Sequence, residues 1–379
     1  MAEKARGMEA QARSAAEYNA YVARLQLVQH NIARRDYVQA RSNLWDTPAA
    51  LRGPEWSILL NFAYPEKYLV QVDGAFVLHA KLSPDGRSIA TANFGGPSRI
   101  YDVQSGEERL RFHEENDRPE AISWNPVSPQ LMIADQSGII WIWNTATGAL
   151  QHRIGAHRGT ISAAAYSPDG TEILSAGNDG AARLWDTLTG ALIHEFDSAA
   201  SIAEAAYAPI GPFFAFTSAS GGISVYNRTE IGAPIKVSGH LFRFSPDGSI
   251  LAAVDDGGVI HLRDLVAGAD RPAPPALEAG VFALDFSPDG SLLAVAGADR
   301  RVLIWHVERG ELVQTLTEPG YTLETAFLDN ALFATYVDGN RLRVVDLLNG
   351  TPAYSRTAHG MHGNTLSVLG NGMAVSTGG

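Results

Sequence analysis

The sequence predicts an all-β fold of seven four-stranded antiparallel sheets set around a ring, with a small α-helical segment ahead of them. Three observations predict it. The tetrapeptide Ser-Pro-Asp-Gly recurs at Ser83–Gly86, Ser167–Gly170, Ser245–Gly248 and Ser287–Gly290. A dipeptide column follows, at Tyr101-Asp102, Trp143-Asn144, Trp185-Asp186, Tyr226-Asn227, Arg263-Asp264, Trp305-His306 and Val345-Asp346, with steps of 42, 42, 41, 37, 42 and 40 residues. Helical apolar spacing is confined to residues 1–64.

In chain order the helical segment comes first. Tyr18, Tyr21, Val22, Leu25, Val28 and Ile32 fall three and four apart, one face of an α-helix. Arg34-Arg35-Asp36 interrupts that face, and Tyr37–Leu44 reads as a second short helix ending near Thr47-Pro48. Gly53-Pro54 opens a third, since proline suits the first helical position, with Trp56, Leu59, Leu60 and Phe62 as its apolar residues. Trp45 and Trp56 read as docking residues rather than ligand contacts. Residues 1–64 are therefore expected to form a helical linker, and 65–379 the ring.

Within the ring, the third unit shows the pattern. Ile161–Tyr166 is a short strand of small and apolar residues. Ser-Pro-Asp-Gly turns the chain, because proline presets φ and the glycine tolerates φ > 0. Glu172–Ala176 is a second strand, Asn178-Asp179-Gly180 a hairpin turn, Ala182–Trp185 a third strand, and Ala191–Phe196 the outermost. Four strands per forty residues, repeated seven times, describe the blades of a β-propeller.

These units resemble WD repeats over about residues 66–379, although the full Trp-Asp pair survives only at Trp185-Asp186. The resemblance implies that His157, Ser175, Asp179 and Trp185 form a buried hydrogen-bonded chain. Asp179 would accept from the His157 ring, His157 from the Ser175 hydroxyl, and Ser175 from the Trp185 N–H. The same His, Ser and Asp are also the inventory of a hydrolase triad. Ser175, however, falls mid-strand, with none of the surroundings of a nucleophile elbow. The fourth and fifth units lack the histidine and are expected to rely on packing alone.

The resemblance also implies closure by an N-terminal strand, for which Glu66–Val72 is the candidate. The seventh unit is expected at Thr322–Phe327, Leu332–Thr335, Arg341–Val345 and an outer strand near Ala353–Arg356. Residues 358–379 read as an incomplete eighth repeat: His362–Leu366 aligns with His157–Ile161, and Ser376 with Ser175. The chain is accordingly expected to be a fragment of a longer protein.

Residues 25–60 carry a second resemblance, to the linker that precedes WD-repeat domains in bacterial serine/threonine protein kinases of planctomycetes and related phyla. Arg52-Gly53-Pro54-Glu55-Trp56 matches its Arg-Gly-Trp-Glu-Trp pattern except for proline at the first tryptophan. Kinship with that architecture is implied, not kinase activity, since the chain has no Gly-rich loop with a paired lysine, no His-Arg-Asp and no Asp-Phe-Gly.

The formal net charge is −12, and residues 1–64 carry eight Lys/Arg against six Asp/Glu, so the acidic excess belongs to the ring. Such a surface repels phosphate backbones and speaks against nucleic acid as a partner. No run of about 18 apolar residues marks a membrane span, and the N-terminus lacks the apolar core of a secretory signal. Cysteine is absent, which excludes disulfides and thiolate metal sites. No histidine pair has metal-ligand spacing, and no cofactor or metal is expected. The default compartment is the cytoplasm, with an extracytoplasmic location the open alternative if the parent chain carries a membrane span.

The function expected is a non-catalytic scaffold that holds a protein or peptide on one loop face. That face is made by the turns before each first strand and the second-to-third strand turns. Phe94, Glu120, Arg158, Asn178, Arg300 and Tyr321 are the candidate contacts, aromatic and arginine side chains being favoured anchors. The alternative is the sensor or regulatory region of a bacterial serine/threonine kinase whose catalytic domain is absent from this chain. A hydrolase with a central-channel site is the least favoured reading, because Asp285 is almost the only carboxylate on the innermost strands and Asp255-Asp256 and Asp338 belong to turns.

Overall fold

The computed structural model describes residues 2–48, 51, 59, 76–103, 105–112, 118–198, 200–277, 280–318, 322–327, 332–337, 341–347, 351–357, 363–368 and 374–378. The chain divides into two compact units, Met1–Leu69 with Arg343–Arg356, and Val70–Leu342 with Thr357–Gly379.

In the first unit, α1 spans Ala2–Ala33 and α2 spans Tyr37–Trp45, and the two pack together. Tyr21, Leu25, Val28 and Asn31 form the buried stripe of α1, while Ala40 and Leu44 are buried on α2. Tyr18, expected on the same stripe, is 54% exposed: the buried face begins one turn later. The turn between the helices is tight. Arg35 adopts φ 60°, and Asp36 caps α2 by accepting from the Gln39 N–H at 3.2 Å. The expected third helix and the closing strand Glu66–Val72 fall outside the described residues.

Seven four-stranded sheets follow in chain order. The first holds β1 (Phe76–Leu82), β2 (Ser88–Phe94), β3 (Ser98–Asp102) and β4 (Glu108–Phe112), and the second β5 (Pro119–Trp124), β6 (Gln130–Asp135), β7 (Ile139–Asn144) and β8 (Leu150–Gly155). The third holds β9 (Ile161–Tyr166), β10 (Glu172–Gly177), β11 (Ala181–Asp186) and β12 (Leu192–Asp197), and the fourth β13 (Ile202–Tyr207), β14 (Phe213–Ser218), β15 (Ile223–Asn227) and β16 (Ile235–Val237). The fifth holds β17 (Leu241–Phe244), β18 (Ile250–Val254), β19 (Ile260–Asp264) and β20 (Ala269–Arg271), and the sixth β21 (Val281–Phe286), β22 (Leu292–Gly297), β23 (Arg301–His306) and β24 (Glu311–Thr317). The seventh holds β25 (Thr322–Phe327), β26 (Leu332–Val337), β27 (Arg341–Asp346) and β28 (Thr351–Thr357), and β29 (Gly363–Val368) pairs with β30 (Ala374–Gly378) as a two-stranded eighth. In the second unit β29 neighbours both β25 and β1, so the short sheet occupies a blade position of its own.

Two side-chain devices make the repeat. In each Ser-Pro-Asp-Gly turn the serine hydroxyl donates to the aspartate two residues on, at 2.6, 2.7, 2.5 and 2.7 Å in chain order. The glycines sit at φ 68°, 71°, 72° and 72°, where any Cβ is strained. The second blade has Asn125 instead, whose Oδ1 accepts from the Val127 and Ser128 N–H groups. The last residue of the dipeptide column opens the turn to the outer strand: Asp186 accepts from the Leu188 and Thr189 N–H groups, and Asp264 from those of Val266 and Ala267. Even His306 keeps that role, its Nδ1 accepting from Arg309 N–H at 3.3 Å.

Buried clusters join consecutive blades. Met132, Ile140 and Ile142 of the second blade meet Ile161, Ile173 and Trp185 of the third, and Leu174, Leu184 and Phe196 of the third meet Phe214 and Phe216 of the fourth. Sheets that interdigitate face to face in this way fix the register of every strand, since a one-residue slip would turn the apolar set outward.

Candidate functional site

The third blade brings His157, Ser175, Asp179 and Trp185 together. His157 Nδ1 lies 2.8 Å from Asp179 Oδ1, and Nε2 lies 2.8 Å from Ser175 Oγ. Trp185 Nε1 donates to Ser175 Oγ at 2.9 Å. With the proton on Nδ1, every group has a partner: the tryptophan donates to the serine, the serine to the imidazole, and the imidazole to the carboxylate. Arg183 completes the cluster, donating to Asp179 Oδ2 at 2.8 Å, to the Ala156 carbonyl at 2.9 Å and to Glu195 Oε2 at 2.7 Å.

Local backbone makes the cluster possible. The Ala156 and His157 N–H groups both donate to the Gly138 carbonyl of the second blade, which anchors the turn that carries the histidine. A Cβ on Gly138 would stand 2.2 Å from the His157 carbonyl oxygen, and one on Gly177 would stand 2.5 Å from His157 Nδ1. Burial is the largest influence on His157 and holds its pKa below the usual imidazole value despite the pull of Asp179. Burial also acts to raise Asp179, but donors from Arg183, His157 and the Arg158 N–H outweigh it and hold the carboxyl well below the usual range. The ring is therefore neutral beside an ionised carboxylate. Ser175 Oγ is fully buried and engaged on both sides.

Other blades keep parts of the arrangement. Strand register makes Ser175, Arg183 and Glu195 equivalent to Val295, Leu303 and Thr315 in the sixth blade. Asp299 and Trp305 remain there, but Leu277 occupies the histidine's place, its side chain 3.0 Å from where a Gly297 Cβ would stand. Trp305 Nε1 is buried with no hydrogen-bond partner, as is Trp143 Nε1 in the second blade, where Ile133 replaces the serine. Fifth-blade reliance on packing alone is corrected by the structure: Asp255 Oδ2 lies 3.1 Å from His261 Nε2, a polar pair six residues apart like Asp135 and Trp141 of the second blade.

The candidate contact residues share one end of the blades. Phe94 ends β2 and is 47% exposed; Glu120, on β5, is half-buried with Arg118 Nε 3.3 Å away. Arg158 and Asn178 flank the third-blade cluster and are exposed. Arg300 sits in the β22–β23 turn at φ 64°, exposed. Tyr321 lies outside the described residues. Asp285 is on β21, accepting from the Phe327 N–H at 2.7 Å, and burial pushes its pKa up to about 6. No group of three or more His, Asp or Glu residues that could hold a metal ion occurs among the described residues. No helix among them is long and apolar enough to cross a membrane.

A feature absent from the sequence reading lies at the same end. A cavity of about 590 Å³ opens where the fourth blade meets the third and fifth, lined by Ser198, Phe216, Ser220, Ser224, Tyr226 and Lys236 among others. Its sequence signal is the run Ser218–Ser224, SASGGIS, at the position of the tight turn.

Comparison with known proteins adds the family of the repeat. The model of "WD domain, G-beta repeat" matches residues 148–186 and 276–306. The chain is a propeller that carries WD repeats. Each matched segment ends at the dipeptide column, and the first begins at the outer strand β8, so that repeat straddles two blades and couples them. "WD repeat-containing protein 1" of Mus musculus is 25% identical over 248 residues, 63% of this chain and 35% of the relative. "Actin-interacting protein 1" of Drosophila melanogaster is 27% identical over 248 residues, 62% of this chain and 34% of the relative. "WD repeat-containing protein SL1-17" of Schistosoma mansoni is 32% identical over 117 residues, 28% of this chain and 37% of the relative. The WD-repeat match thus spans about a third of the length of these curated relatives. Among solved structures, the computationally designed Ika8 protein superposes with a TM-score of 0.68 at 17% identity, covering 81% of this chain and 98% of that one.

Proposed function

We propose that the propeller is a non-catalytic platform that binds a protein or peptide on the face formed by the starts of the inner strands and the second-to-third strand turns. The observation that carries this reading is a contrast within the fold. The blades repeat one register, while their turns at this face carry Arg158 and Asn178, Ser220, Asp256 and Arg300 in successive blades. A rigid frame with variable loops is the arrangement of a binding surface. The His157–Ser175–Asp179 set serves the frame in this reading: Ser175 has no exposed surface for substrate, and its hydroxyl is already engaged by Trp185 and His157.

The test is capture by the intact chain. Arg158→Glu with Arg300→Glu should abolish capture, whereas Arg87→Glu, at a Ser-Pro-Asp-Gly turn on the opposite face, should leave it intact. The converse pattern overturns the proposal. Actin is the first partner to try, because the Drosophila relative is named for interacting with it.

A second reading is favoured by the first unit. Its helix, tight turn and capped second helix follow the linker pattern of the kinase-associated architecture. In that reading the platform is the sensor region of a bacterial serine/threonine kinase. An adjoining reading frame that encodes kinase motifs supports it, and one that encodes none removes it.

A further inference from the structure

The fourth blade repeats the register of the third but fills it with smaller side chains. Ser175↔Arg183↔Glu195 in the third blade corresponds to Phe216↔Ser224↔Lys236 in the fourth. Ser198 and Ser220 stand at the places of His157 and Asp179. An imidazole, a carboxylate and a guanidinium are thus replaced by three serines, and the cavity of about 590 Å³ opens there, lined by all three. That volume falls in the ~300–1,000 Å³ range of small-ligand sites.

The wall sorts by depth. At the floor lie Phe216 and Ser224, 2% and 6% exposed. Ser224 Oγ accepts from Lys236 Nζ at 2.7 Å, and its own O–H donates to no described residue. Lys236 bonds to no other described residue, so the rest of its ammonium donors are also left over. Ser218 and Ser220 share one hydrogen bond at 2.8 Å, which leaves one hydroxyl proton of the pair uncommitted. The floor is therefore rich in donors. The rim carries acceptors: Asp197, Asp255 and Asp256 line it, the last with its side chain 93% exposed.

Charge disfavours an ionic occupant of either sign. A cation would meet the Lys236 ammonium, and Asp255 and Asp256 already pair with His261 and His240, each at 3.1 Å. An anion would meet three rim carboxylates against one ammonium. A neutral hydroxyl-bearing ligand accepts from the floor and donates to the rim at once. The C–H face of a sugar ring also suits the apolar wall, where Phe216 and Tyr226 stack with ring centroids 5.7 Å apart. We infer that the fourth-blade cavity is a binding site for a neutral hexose unit, whose hydroxyls accept from Ser224 and Lys236 and donate to Asp256. The site goes beyond the platform reading and does not depend on it.

The experiment is an amide NMR titration of the full chain with the methyl glycosides of glucose, galactose, mannose and N-acetylglucosamine. Sodium acetate and methylguanidinium chloride are the ionic controls. At least one glycoside should give saturable shifts confined to the amides of β13–β16 and their turns, and neither control should. Ser224→Ala and Lys236→Met each remove one hydrogen-bonding group and leave the apolar wall in place, and each should weaken that binding about tenfold. The amide spectrum of each variant reports its fold, and Lys236→Met, at an exposed position, keeps the inference testable if Ser224→Ala does not fold. No saturable binding of any glycoside, shifts centred on another blade, tighter binding of either ion, or affinity unchanged in a folded variant overturns the inference. Any of these leaves the platform reading standing, because that reading is tested by capture and by charge reversal at Arg158 and Arg300.

Discussion

The third and fourth blades share a backbone and differ in what fills the turn end. In the third, one fully satisfied network ties the turn before β9 to β10 and β11, so that five side chains hold each other in place. In the fourth, Ser198, Ser220 and Ser224 stand at the places of the histidine, aspartate and arginine, and Phe216 and Tyr226 at those of the serine and tryptophan; Ser220 bonds Ser218 at 2.8 Å, and Ser224 bonds Lys236 on the next strand. Apolar packing carries that blade: Phe214, Phe216 and Tyr226 pack on one another and on Phe196 of the third blade. Apolar burial therefore specifies the blade, and the polar chain is an added brace that one blade has and another does without.

Four measurements test that contrast between the blades. The largest effect is expected for Asp179→Ala, which strands the Arg183 guanidinium and the His157 N–H; urea unfolding should show a loss of about 3 kcal/mol. Ser220→Ala, its fourth-blade counterpart, should stay within about 0.5 kcal/mol. Next comes Gly177→Ala, whose methyl would press on the His157 ring and should cost about 2 kcal/mol. The equivalent fourth-blade residue is already Ser218, and Ser218→Ala should be near neutral. If both glycine and serine positions respond alike, the imidazole is not what sets the difference.

A smaller effect tests whether the brace is transferable. Leu277→His with Val295→Ser would complete the sixth blade around Asp299 and Trp305, giving the orphaned Trp305 N–H an acceptor. Each single substitution should destabilise, and a double-mutant cycle should show favourable coupling of about 1 kcal/mol. Zero coupling would mean that the network does not travel with its residues.

The smallest effect is in pH. His157 in the folded state has a pKa below its unfolded value of 6.5, so the unfolded chain binds more protons as pH falls through and below 6.5. Stability from this group is therefore full above pH 6.5 and lost on acidification. Asp179, also lowered, acts in the same direction at still lower pH. Asp285 acts oppositely: with its pKa at about 6, raised from 3.8, its burial is relieved as pH falls through 6. Hydrogen exchange at pH 7.5 and pH 5 should show β9–β11 losing protection relative to β13–β15. Equal loss in the two blades would detach the pH response from His157.

Much of this was legible in sequence. Ser-Pro-Asp-Gly and the dipeptide column announce their turns because the devices are local: a serine reaches an aspartate two residues away, and an aspartate reaches N–H groups two and three residues on. The third-blade cluster was legible through the family pattern, since His157, Ser175, Asp179 and Trp185 stand at its four positions. Arg183 was missed, although its place opposite Ser175 follows from the hairpin register. The exposure of Tyr18 was also missed, because helical spacing defines a stripe but not where along the helix a cover begins.

The repeat, the turns and the pairing of strands within each blade follow from the order of residues alone, because they depend on residues a few positions apart and on alternation between two faces. Which polar groups find partners, and where space is left, depends on how the blades pack against one another. Trp185, Trp143 and Trp305 occupy the same column, yet one N–H is satisfied and two are not, according to what the neighbouring strand presents. The fourth-blade cavity exists because walls from three blades meet around short side chains, a sum over residues far apart in the chain that no local pattern records.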